Sequence, residues 1–523
     1  MLRRIGLSCL ALGLLLTSIG CQKQTVPFIY GGGFIPRGLN PNLSKNGWNE
    51  ANSLILSRLF QVNEKGELEP DLFTDYAVSP DGLTYRFHVR MGVVWQDGTP
   101  LTVEDVAYTF KSIFDPKTAT HLDEDLAMVD VYLHAAPNLF VVKLKSPCAS
   151  LVSRLSDIAI LPKHILESLP TEEINKGAFD RSPIGSGPYK LVNKTSDTEW
   201  HFEWNDQYYR PVPDPIRQIR LLIVPDDTER ARQAVAGAFH LTQVKPQDIE
   251  KLLINEDLVV YRFYSGSWRG LPQNLRRPHL QDVRVRRAIN LAIDREAIVQ
   301  EAAKGAARSA YLPILPNSLA YDMSAFMPGR DVDRARRLLN DAGWEPGSDG
   351  ILRKNGTRLD YRIGIWKDDV FRRSAGELIK EQLREVGISV VLDLVDEARY
   401  EQIVDDMGVA YDTLIGGWNG LLDPDRNLSR KFASGGSQNY MRYKNHKVDQ
   451  LLDSGRKELL PAKRKQIYGQ LLTLLYEDAV FLPLVYPDYL FVAKNPVQGL
   501  KDGITVDGWY QFTKNAYKWR LVE

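Results

Sequence analysis

Residues 68–110 read LEPDLFTDYAVSPDGLTYRFHVRMGVVWQDGTPLTVEDVAYTF and carry the clearest local structure in the chain. Apolar and polar residues alternate over 83–90, which predicts a half-buried strand. Proline and glycine in the preceding stretch, 79–82, predict a tight turn. Further on, the Thr102 hydroxyl is expected to cap a helix together with Asp105 three residues later. The segment therefore predicts a strand, turns and a helix in close succession.

Three further segments carry apolar residues at helical spacing. They are residues 282–300, 374–386 and 463–477, and each predicts an amphipathic helix. Gly387 is expected to end the second of these helices, and a strand is predicted directly after it at 388–392. Strand and helix signals mix along the chain without long structureless gaps. We therefore expect a mixed α/β fold.

Composition is typical of a folded protein that does not bind nucleic acid. The 523 residues suffice for about three domains, and 44% apolar with 25% charged residues is ordinary for globular proteins. The chain has 66 basic residues (lysine plus arginine) and 66 acidic residues (aspartate plus glutamate), so its formal net charge is zero. This charge balance gives no support for a basic nucleic-acid-binding face.

Catalytic and metal-binding patterns are weak. The eight histidines are scattered without metal-ligand spacing, and no Gly-x-Ser-x-Gly motif occurs. The glycines at 31–33 lack the Lys-Ser/Thr of a phosphate-binding loop. We expect a binding protein rather than an enzyme, with no cofactor and no metal ion of its own.

The N-terminus has the features of an export signal. Arg3 and Arg4 precede the apolar run 5–16, which is too short to span a bilayer comfortably. The run leads to Gly20 and Cys21, an arrangement that resembles the lipobox of bacterial lipoproteins, although Ser18 stands where that motif prefers leucine. The resemblance implies removal of a signal peptide at 1–20 and a lipid on Cys21. The alternative is an ordinary signal peptide in which Cys21 is incidental.

Cysteine usage leaves the mature chain without an internal disulfide. Cys9 would leave with the signal peptide, and Cys21 would carry the lipid. Cys148 then remains as a single thiol, which we expect to be buried in the core.

Several motifs together resemble family 5 of the extracellular solute-binding proteins, the dipeptide-, oligopeptide- and nickel-type receptors of ABC importers. The first is the segment 68–110. The others follow in the family's order and spacing across nearly the whole mature chain: 185–191 (GSGPYKL), 224–241, 280–299, 331–344, 416–425 (GGWNGLLDPD) and 443–452. Seven motifs in order are a specific signal where one would be weak.

The resemblance implies a periplasmic-binding-protein type II-like α/β fold with two lobes, a hinge and three domains. Domain I would comprise residues 22–50, 185–263 and 485–523. Domain II would be an insertion at 51–184, and domain III, the second lobe, would span 264–484. Members of the family close around a ligand by a hinge motion, which buries the ligand between the lobes.

The first candidate binding segment follows the first strand and contains Phe34 and Ile35. In oligopeptide-binding relatives the ligand backbone adds as a strand to this segment and to one in domain III. Pro36 lies in the same stretch and has no N–H to donate.

The second candidate segment contains Trp418, Asn419, Gly420 and Leu421. The family's tryptophan lines the pocket here, and peptide-binding relatives typically carry aspartate at the position of Leu421, where it holds the ligand's α-ammonium group. Leucine cannot supply that charge, so the sequence leaves open whether this protein prefers peptides with free N-termini.

Arginine and tryptophan side chains complete the predicted site. Arg372 and Arg373 fall where dipeptide-binding relatives hold the ligand carboxylate, though two solvated arginines at a helix start are an equal alternative. Trp268, Trp366 and Trp418 could offer flat apolar faces to a sugar or an aromatic side chain, or they could belong to the core.

These observations predict a peptide-binding lipoprotein of an ABC importer. It would be exported, anchored through Cys21 to the periplasmic or cell-surface face of a bacterial membrane, monomeric, and partnered by permease subunits. The alternatives are the same fold binding an oligosaccharide or another small solute, nickel taken through a chelator, or a peptide-sensing or chaperone lipoprotein without its own transporter.

Overall fold

The computed structural model describes residues 26–44, 46–63, 67–120, 122–324, 326, 329–419, 423–500, 505–506 and 509–521. The predicted signal peptide and Cys21 lie outside these residues. Within the described ranges, no helix is both long and apolar enough to cross a membrane.

Strands occur along the whole described chain. In order they are β1 (Phe28–Gly32), β2 (Phe60–Val62), β3 (Leu68–Pro70), β4 (Phe73–Val78), β5 (Thr84–Val89), β6 (Val129–Ala136), β7 (Leu139–Leu144), β8 (Tyr189–Ser196), β9 (Glu199–Trp204), β10 (Gln218–Ile223), β11 (Leu241–Val244), β12 (Val259–Ser265), β13 (Ser267–Pro272), β14 (Ala307–Ser309), β15 (Glu345–Pro346), β16 (Leu352–Lys354), β17 (Thr357–Arg358), β18 (Asp360–Trp366), β19 (Ser389–Val395), β20 (Thr413–Leu414), β21 (Gly416–Asn419), β22 (Phe481–Ala493), β23 (Val497–Gln498), β24 (Thr505–Val506) and β25 (Arg520–Leu521).

Helices alternate with these strands. The α-helices are α1 (Glu50–Ile55), α2 (Val103–Phe114), α3 (Leu122–Asp125), α4 (Leu151–Leu155), α5 (Lys163–Leu166), α6 (Thr171–Asn175), α7 (Ala178–Arg181), α8 (Asp227–Val235), α9 (Ile249–Leu253), α10 (Pro278–Gln281), α11 (Val283–Ala292), α12 (Arg295–Ala297), α13 (Val332–Asp341), α14 (Val370–Glu385), α15 (Glu397–Asp405), α16 (Pro424–Phe432), α17 (His446–Lys457) and α18 (Pro461–Asp478). Tighter or wider helical turns occur at Pro246–Asp248, Ile298–Ala302 and Trp509–Lys518.

The largest sheet runs in the order β21-β13-β22-β11-β1-β10-β9-β8. Strand β1 lies parallel to both β10 and β11, whereas β22 is antiparallel to its neighbours. Strand β22 pairs along one edge with β11 and β14, and along the other with β12 and β13. It therefore connects the part of the sheet around β1 with the part around β13.

The segment 68–110 folds as its pattern predicts. Strand β5 belongs to an antiparallel sheet of order β4-β5-β7-β6. The Thr102 hydroxyl accepts a hydrogen bond from Glu104 N at 3.2 Å, while the Asp105 carboxylate accepts one from Thr102 N at 2.8 Å. The predicted cap of α2 is thereby confirmed. Cys148 is fully buried in the hydrophobic cluster beneath this sheet, as predicted.

A second α/β unit contains the parallel strands β19, β18 and β20 with α14 packed against them. The predicted helix 374–386 begins four residues earlier, at Val370, because Asp369 caps it by accepting from Arg372 N at 2.9 Å. Gly387 adopts φ +82° and lets the chain turn into β19, as predicted.

The predicted single helix at 282–300 is wrong in one respect. Its apolar face is buried as expected, but the helix breaks at Ile293, whose backbone is extended. Asp294 then caps a new helical segment by accepting from Ala297 N at 3.0 Å. The break places the buried Arg295 so that its Nε donates to the carbonyl oxygen of Pro483 at 2.7 Å. A local capping residue and a long-range hydrogen bond therefore override the continuous helical pattern.

The GSGPYKL motif marks a close approach between two backbones. Gly187 N donates to the Ile55 carbonyl oxygen at 2.7 Å, and a Cβ at Gly185 would overlap the same oxygen. These glycines are required because no side chain fits between the motif and the end of α1 at Ile55.

We expect Gly185→Ala to lower the free energy of unfolding by about 3 kcal/mol, because the new methyl group must displace the Ile55 carbonyl. The matched control is Gly469→Ala in α18, where a Cβ meets open space. That change should stabilise the protein by up to about 1 kcal/mol, since alanine is the better helix former. Urea denaturation of both variants checks this, and equal effects would contradict it.

Candidate functional site

A cavity of about 220 Å³ lies where β11, β18 and β22 meet. One wall follows the end of β11, a second follows the end of β18 at the start of α14, and β22 crosses between them. Its lining comprises Asp227, Gln243, Val244, Lys245, Pro246, Gln247, Arg269, Ala302, Ala303, Ala306, Trp366, Asp368, Asp369, Val370, Phe371, Pro487, Asp488 and Tyr489. Ligands of open α/β sheets bind outside the carboxyl ends of the strands, and the cavity occupies such a position.

Most charged groups of the cavity are already paired. Asp227 forms ion pairs with Arg230 and with Lys245, the latter at 3.6 Å. Asp369 caps α14 and forms an ion pair with Arg372 at 3.0 Å. Asp488 lies 3.7 Å from Arg262 and 3.9 Å from Arg308, and its buried Oδ1 has no hydrogen-bond partner among the described residues. Asp368 also lines the cavity and forms no ion pair within the described part of the chain.

Arg269 is a second charged group of the cavity that forms no ion pair among the described residues. It lies on β13, is partly buried, and lines the cavity. No hydrogen bond or ion pair joins its guanidinium to another residue in the described part of the chain. Burial lowers the pKa of Arg269, and the neighbouring Arg372 cation lowers it further, partly offset by the attraction of Asp369.

Two of the predicted tryptophans form a pair across β13 and β21. Trp268 and Trp418 lie directly opposite each other in the register, and Trp418 packs edge-on against Phe481 with ring centroids 5.0 Å apart. Trp268 is 1% exposed, whereas Trp418 is partly buried. Both belong to, or pack against, one hydrophobic cluster, and neither lines the cavity.

The predicted arginines are held by their own surroundings. Arg372 Nε donates to the Ile415 carbonyl oxygen at 2.9 Å, and its guanidinium lies 4.7 Å from the Tyr400 ring centroid. Arg373 donates to the Lys367 carbonyl oxygen. Both flank the cavity wall at α14 without lining it.

The remaining predicted site residues belong to two segments of the sequence, 34–35 and 419–421. Phe34 and Ile35 follow β1 with 43% and 48% of their surfaces exposed, which is unusual for large apolar side chains. Asn419 ends β21, while Gly420 and Leu421 lie outside the described residues. The direct ligand contacts assigned to these positions stay predictions.

The sequence reasoning did not single out Arg269, Gln243 or Tyr489 of the cavity. Arg269 follows Trp268 on β13, and successive residues of a strand face opposite sides. Applied to β13, this alternation would have predicted that the buried Trp268 and the cavity-facing Arg269 lie on opposite faces of the strand.

Ion pairs connect α16 with the elements beneath the β4–β7 sheet. Arg154 Nη2 lies 2.8 Å from the Asp425 carboxylate, and Arg430 Nη2 lies 2.6 Å from that of Asp125. Arg426 forms further ion pairs with Asp125 and Asp157. These contacts join predicted domains II and III, and both Asp125 and Asp425 are buried.

The comparison with protein families identifies the class of this protein. The model of the bacterial extracellular solute-binding proteins, family 5, middle region, matches residues 67–440. The chain belongs to this family. The predicted family and the type II-like binding-protein fold are thereby confirmed, and the family is one of extracellular solute-binding proteins.

Related proteins cover most of the chain. It is 29% identical over 456 residues to Protein XP55 of Streptomyces lividans, spanning 86% of this chain and 82% of that protein. It is 26% identical over 477 residues to the oligopeptide-binding protein AppA of Bacillus subtilis, spanning 88% and 86%. The crystal structure of NikZ from Campylobacter jejuni with Ni(L-His) superposes with a TM-score of 0.82 at 25% identity, covering 94% of this chain and 99% of NikZ.

Lys431 on α16 is a buried cation beside the tryptophan pair. Its Nζ lies 5.3 Å from the Trp268 ring centroid and 6.0 Å from that of Trp418, and donates to Asn427 Oδ1 at 3.3 Å. Burial lowers the pKa of Lys431 to about 7, assisted by the neighbouring cations Arg430 and Arg426. No carboxylate pairs with it among the described residues.

We expect Lys431→Met to raise the free energy of unfolding by about 2 kcal/mol at pH 7, because it removes an uncompensated buried charge. The folded-state pKa lies below the unfolded value, so the unfolded wild type binds more protons between about pH 7 and 10. Wild-type stability therefore rises with pH across this window, and the variant's advantage shrinks. Denaturation at pH 7 and pH 10 measures this.

The exposed Lys447 supplies the control, since Lys447→Met should change stability little at either pH. A Lys431→Met variant that is less stable than wild type at pH 7 would contradict the expectation, as would an advantage that is independent of pH.

Proposed function

We propose that this protein is the substrate-binding subunit of an ABC importer and that it captures peptides between its lobes. The observation that carries the proposal is the position of β21 at the end of the large sheet, paired on one side with β13. An end strand has backbone groups available for an added strand, and an extended peptide can use them.

Relatives support the peptide class. The similar Bacillus subtilis protein is an oligopeptide-binding protein, and a Pseudomonas aeruginosa protein 26% identical over 500 residues is a probable di/tripeptide-binding protein. Residues 416–419 of this chain would then pair with the ligand backbone. Phe34 and Ile35 would contact it from the opposite lobe, where their exposed apolar surfaces become buried on closure.

Closure would be assisted by the ion pairs of α16. Asp425, Arg426 and Arg430 on one side meet Asp125, Arg154 and Asp157 on the other. Buried pairs of this kind add little net stability, but they require a defined geometry. They are therefore suited to fixing the orientation of the closed lobes that a permease would recognise.

A small solute other than a peptide is the second candidate. The cavity of about 220 Å³ is smaller than typical drug-sized pockets. The NikZ structure contains a nickel–histidine complex, so the fold can hold a compact ligand. An oligosaccharide or another small solute would be held by the same cleft, where Trp366 lines the cavity and offers an aromatic face. A sensing or chaperone role without a transporter is a further alternative.

We expect peptides to raise the melting temperature of the purified protein, because a ligand that binds only the folded state stabilises it. Peptides with free and acetylated N-termini should bind wild type with similar affinity, since Leu421 carries no charge. Leu421→Asp should favour the free N-terminus by about tenfold or more. Calorimetric titration of both peptide forms measures the ratio.

The control for added surface charge is Leu253→Asp on α9, where leucine is 62% exposed. It should not change the ratio. Stabilisation by oligosaccharides or chelated nickel and not by any peptide would contradict the peptide proposal. If Leu421→Asp leaves the ratio of affinities for free and acetylated N-termini unchanged, position 421 does not contact the ligand's N-terminus.

The proposed anchoring has its own test. Cys21→Ser should abolish lipidation and move the protein from the membrane to the soluble fraction of expressing cells. Cys148→Ser is the matched control, because this thiol is buried in the core and should not affect anchoring. Mass spectrometry of the N-terminal peptide reports the lipid, and an unmodified wild-type Cys21 would contradict the proposal.

A further inference from the structure

Predicted domain II shares a hydrophobic core with predicted domain I. One buried cluster contains Phe28 of domain I together with Leu161 and Phe179 of domain II. Direct hydrogen bonds reinforce the contact, since Asn42 Nδ2 donates to the Ala159 carbonyl oxygen at 2.8 Å and Asn42 Oδ1 accepts from Ala159 N at 3.1 Å. Separating the two domains would expose apolar surface to water, so we expect them to move as one body.

Domains II and III meet in a different way. No buried hydrophobic cluster of the described residues contains side chains from both 51–184 and 264–484. The contacts between them include the ion pairs of α16, a hydrogen bond from Ser437 Oγ to Glu124 Oε1 at 2.9 Å, and a backbone hydrogen bond from Ala149 N to the Arg456 carbonyl oxygen at 2.9 Å. A polar interface of this kind can open, because water replaces the hydrogen bonds on both sides.

Every ion pair of Arg426 in the described part of the chain crosses this interface. Its guanidinium pairs with Asp125 and Asp157 of domain II. Asp157 forms no other ion pair within the described ranges, and its carbonyl oxygen accepts a hydrogen bond from Trp48 Nε1 of domain I at 2.9 Å. The Arg426–Asp157 pair therefore links α16 of domain III to the joined domains I and II.

Both members of this pair are largely withdrawn from water. The exposed fraction is 9% for the Arg426 side chain and 15% for that of Asp157. If the interface opened, both charges would become hydrated. If it closed with one partner missing, the other would be buried without compensation, at a high cost in free energy. The pair therefore favours the closed arrangement only when both residues are present.

We propose that the Arg426–Asp157 pair is a latch, which forms when the lobes close and separates when they open. This inference rests on the proposed capture of a ligand between the lobes, and it adds a contact that holds the closed form without touching the ligand. Helix α16 begins at Pro424, soon after β21 ends at Asn419, so the latch lies close in sequence to the strand proposed to bind the ligand. A latch that stabilises only the closed form raises the affinity for every ligand by the same factor.

The first test measures closure without depending on any ligand. Spin labels are attached through Lys111→Cys on α2 of domain II and Lys447→Cys on α17 of domain III, both exposed positions, in the Cys21→Ser protein. Cys148 is buried and should not take the label. Pulsed electron spin resonance then gives the distribution of distances between the two labels, without ligand and with added di- and tripeptides. We expect Arg426→Gln to shift this distribution toward the longer distance of the open form.

The second test measures affinity by calorimetric titration of the same peptides. We expect each peptide that binds wild type to bind Arg426→Gln about tenfold or more weakly, because the variant leaves Asp157 unpaired only in the closed form. The factor should be the same for all of these peptides. Asp157→Asn should act similarly, and the double variant should lose less affinity than the product of the two single losses.

Control variants separate the latch from a general loss of charge or of folding. Arg217→Gln and Asp206→Asn break an exposed ion pair of 2.6 Å within domain I. They should change neither the distances nor the affinities. Asp157→Asn removes the latch from the domain II side and should shift the label distances as Arg426→Gln does, so the test does not depend on the folding of one variant.

Each outcome bears on a different statement. Label distances that neither Arg426→Gln nor Asp157→Asn changes, with or without peptides, would overturn the latch and show a permanent interface. Losses of affinity that differ from peptide to peptide would overturn it as well, since Arg426 would then act on the ligand. Shifted distances without binding of any peptide would support the latch and refute the proposed peptide function.

Discussion

Strand β22 is the constraint on which the rest of the structure depends. Its 13 residues are almost entirely buried, and they pair with β11 and β14 along one edge and with β12 and β13 along the other. The predicted domains I and III are thus joined by backbone hydrogen bonds along one strand, with a register shift at Arg269 and Gly270 where β13 pairs with β22. A change in the angle between the lobes must be absorbed by twisting this strand and the β12–β13 connection, since breaking the ladder would leave buried polar groups unpaired.

This shared strand also explains the position of the cavity. Because β22 passes between the ends of β11 and β18, groups from two different α/β units come within reach of one small ligand. The same arrangement brings Arg269 beside Arg372 and leaves one carboxylate between two cations. The charged groups that line the cleft therefore come from both units together and not from either unit alone. The ion pairs of α16 connect that helix instead with Asp125, Arg154 and Asp157 beneath the β4–β7 sheet.

Much of the fold follows from local sequence pattern. The strand and cap of the 68–110 segment and the turn at Gly387 after α14 depend on residues close together in sequence, and they agree with the structure. The helix predicted at 282–300 failed at Ile293 because the break is stabilised partly by Arg295 contacting Pro483, nearly 190 residues away. Periodicity carries no information about such a partner.

The sequence by itself determined the class of protein, the mixed α/β character and the Thr102 cap of α2, because capping, turn geometry and hydrophobic spacing act over a few residues. It also indicated the segment containing Trp418 as a candidate binding segment, but it did not indicate which face of the strand would contact a ligand. Only the tertiary structure decided that Trp268 packs into a core while its neighbour Arg269 faces the cavity, and that Gly417 makes room for it. These facts depend on strand pairing between segments some 150 residues apart, where the free energy of packing, rather than local preference, selects the contacts.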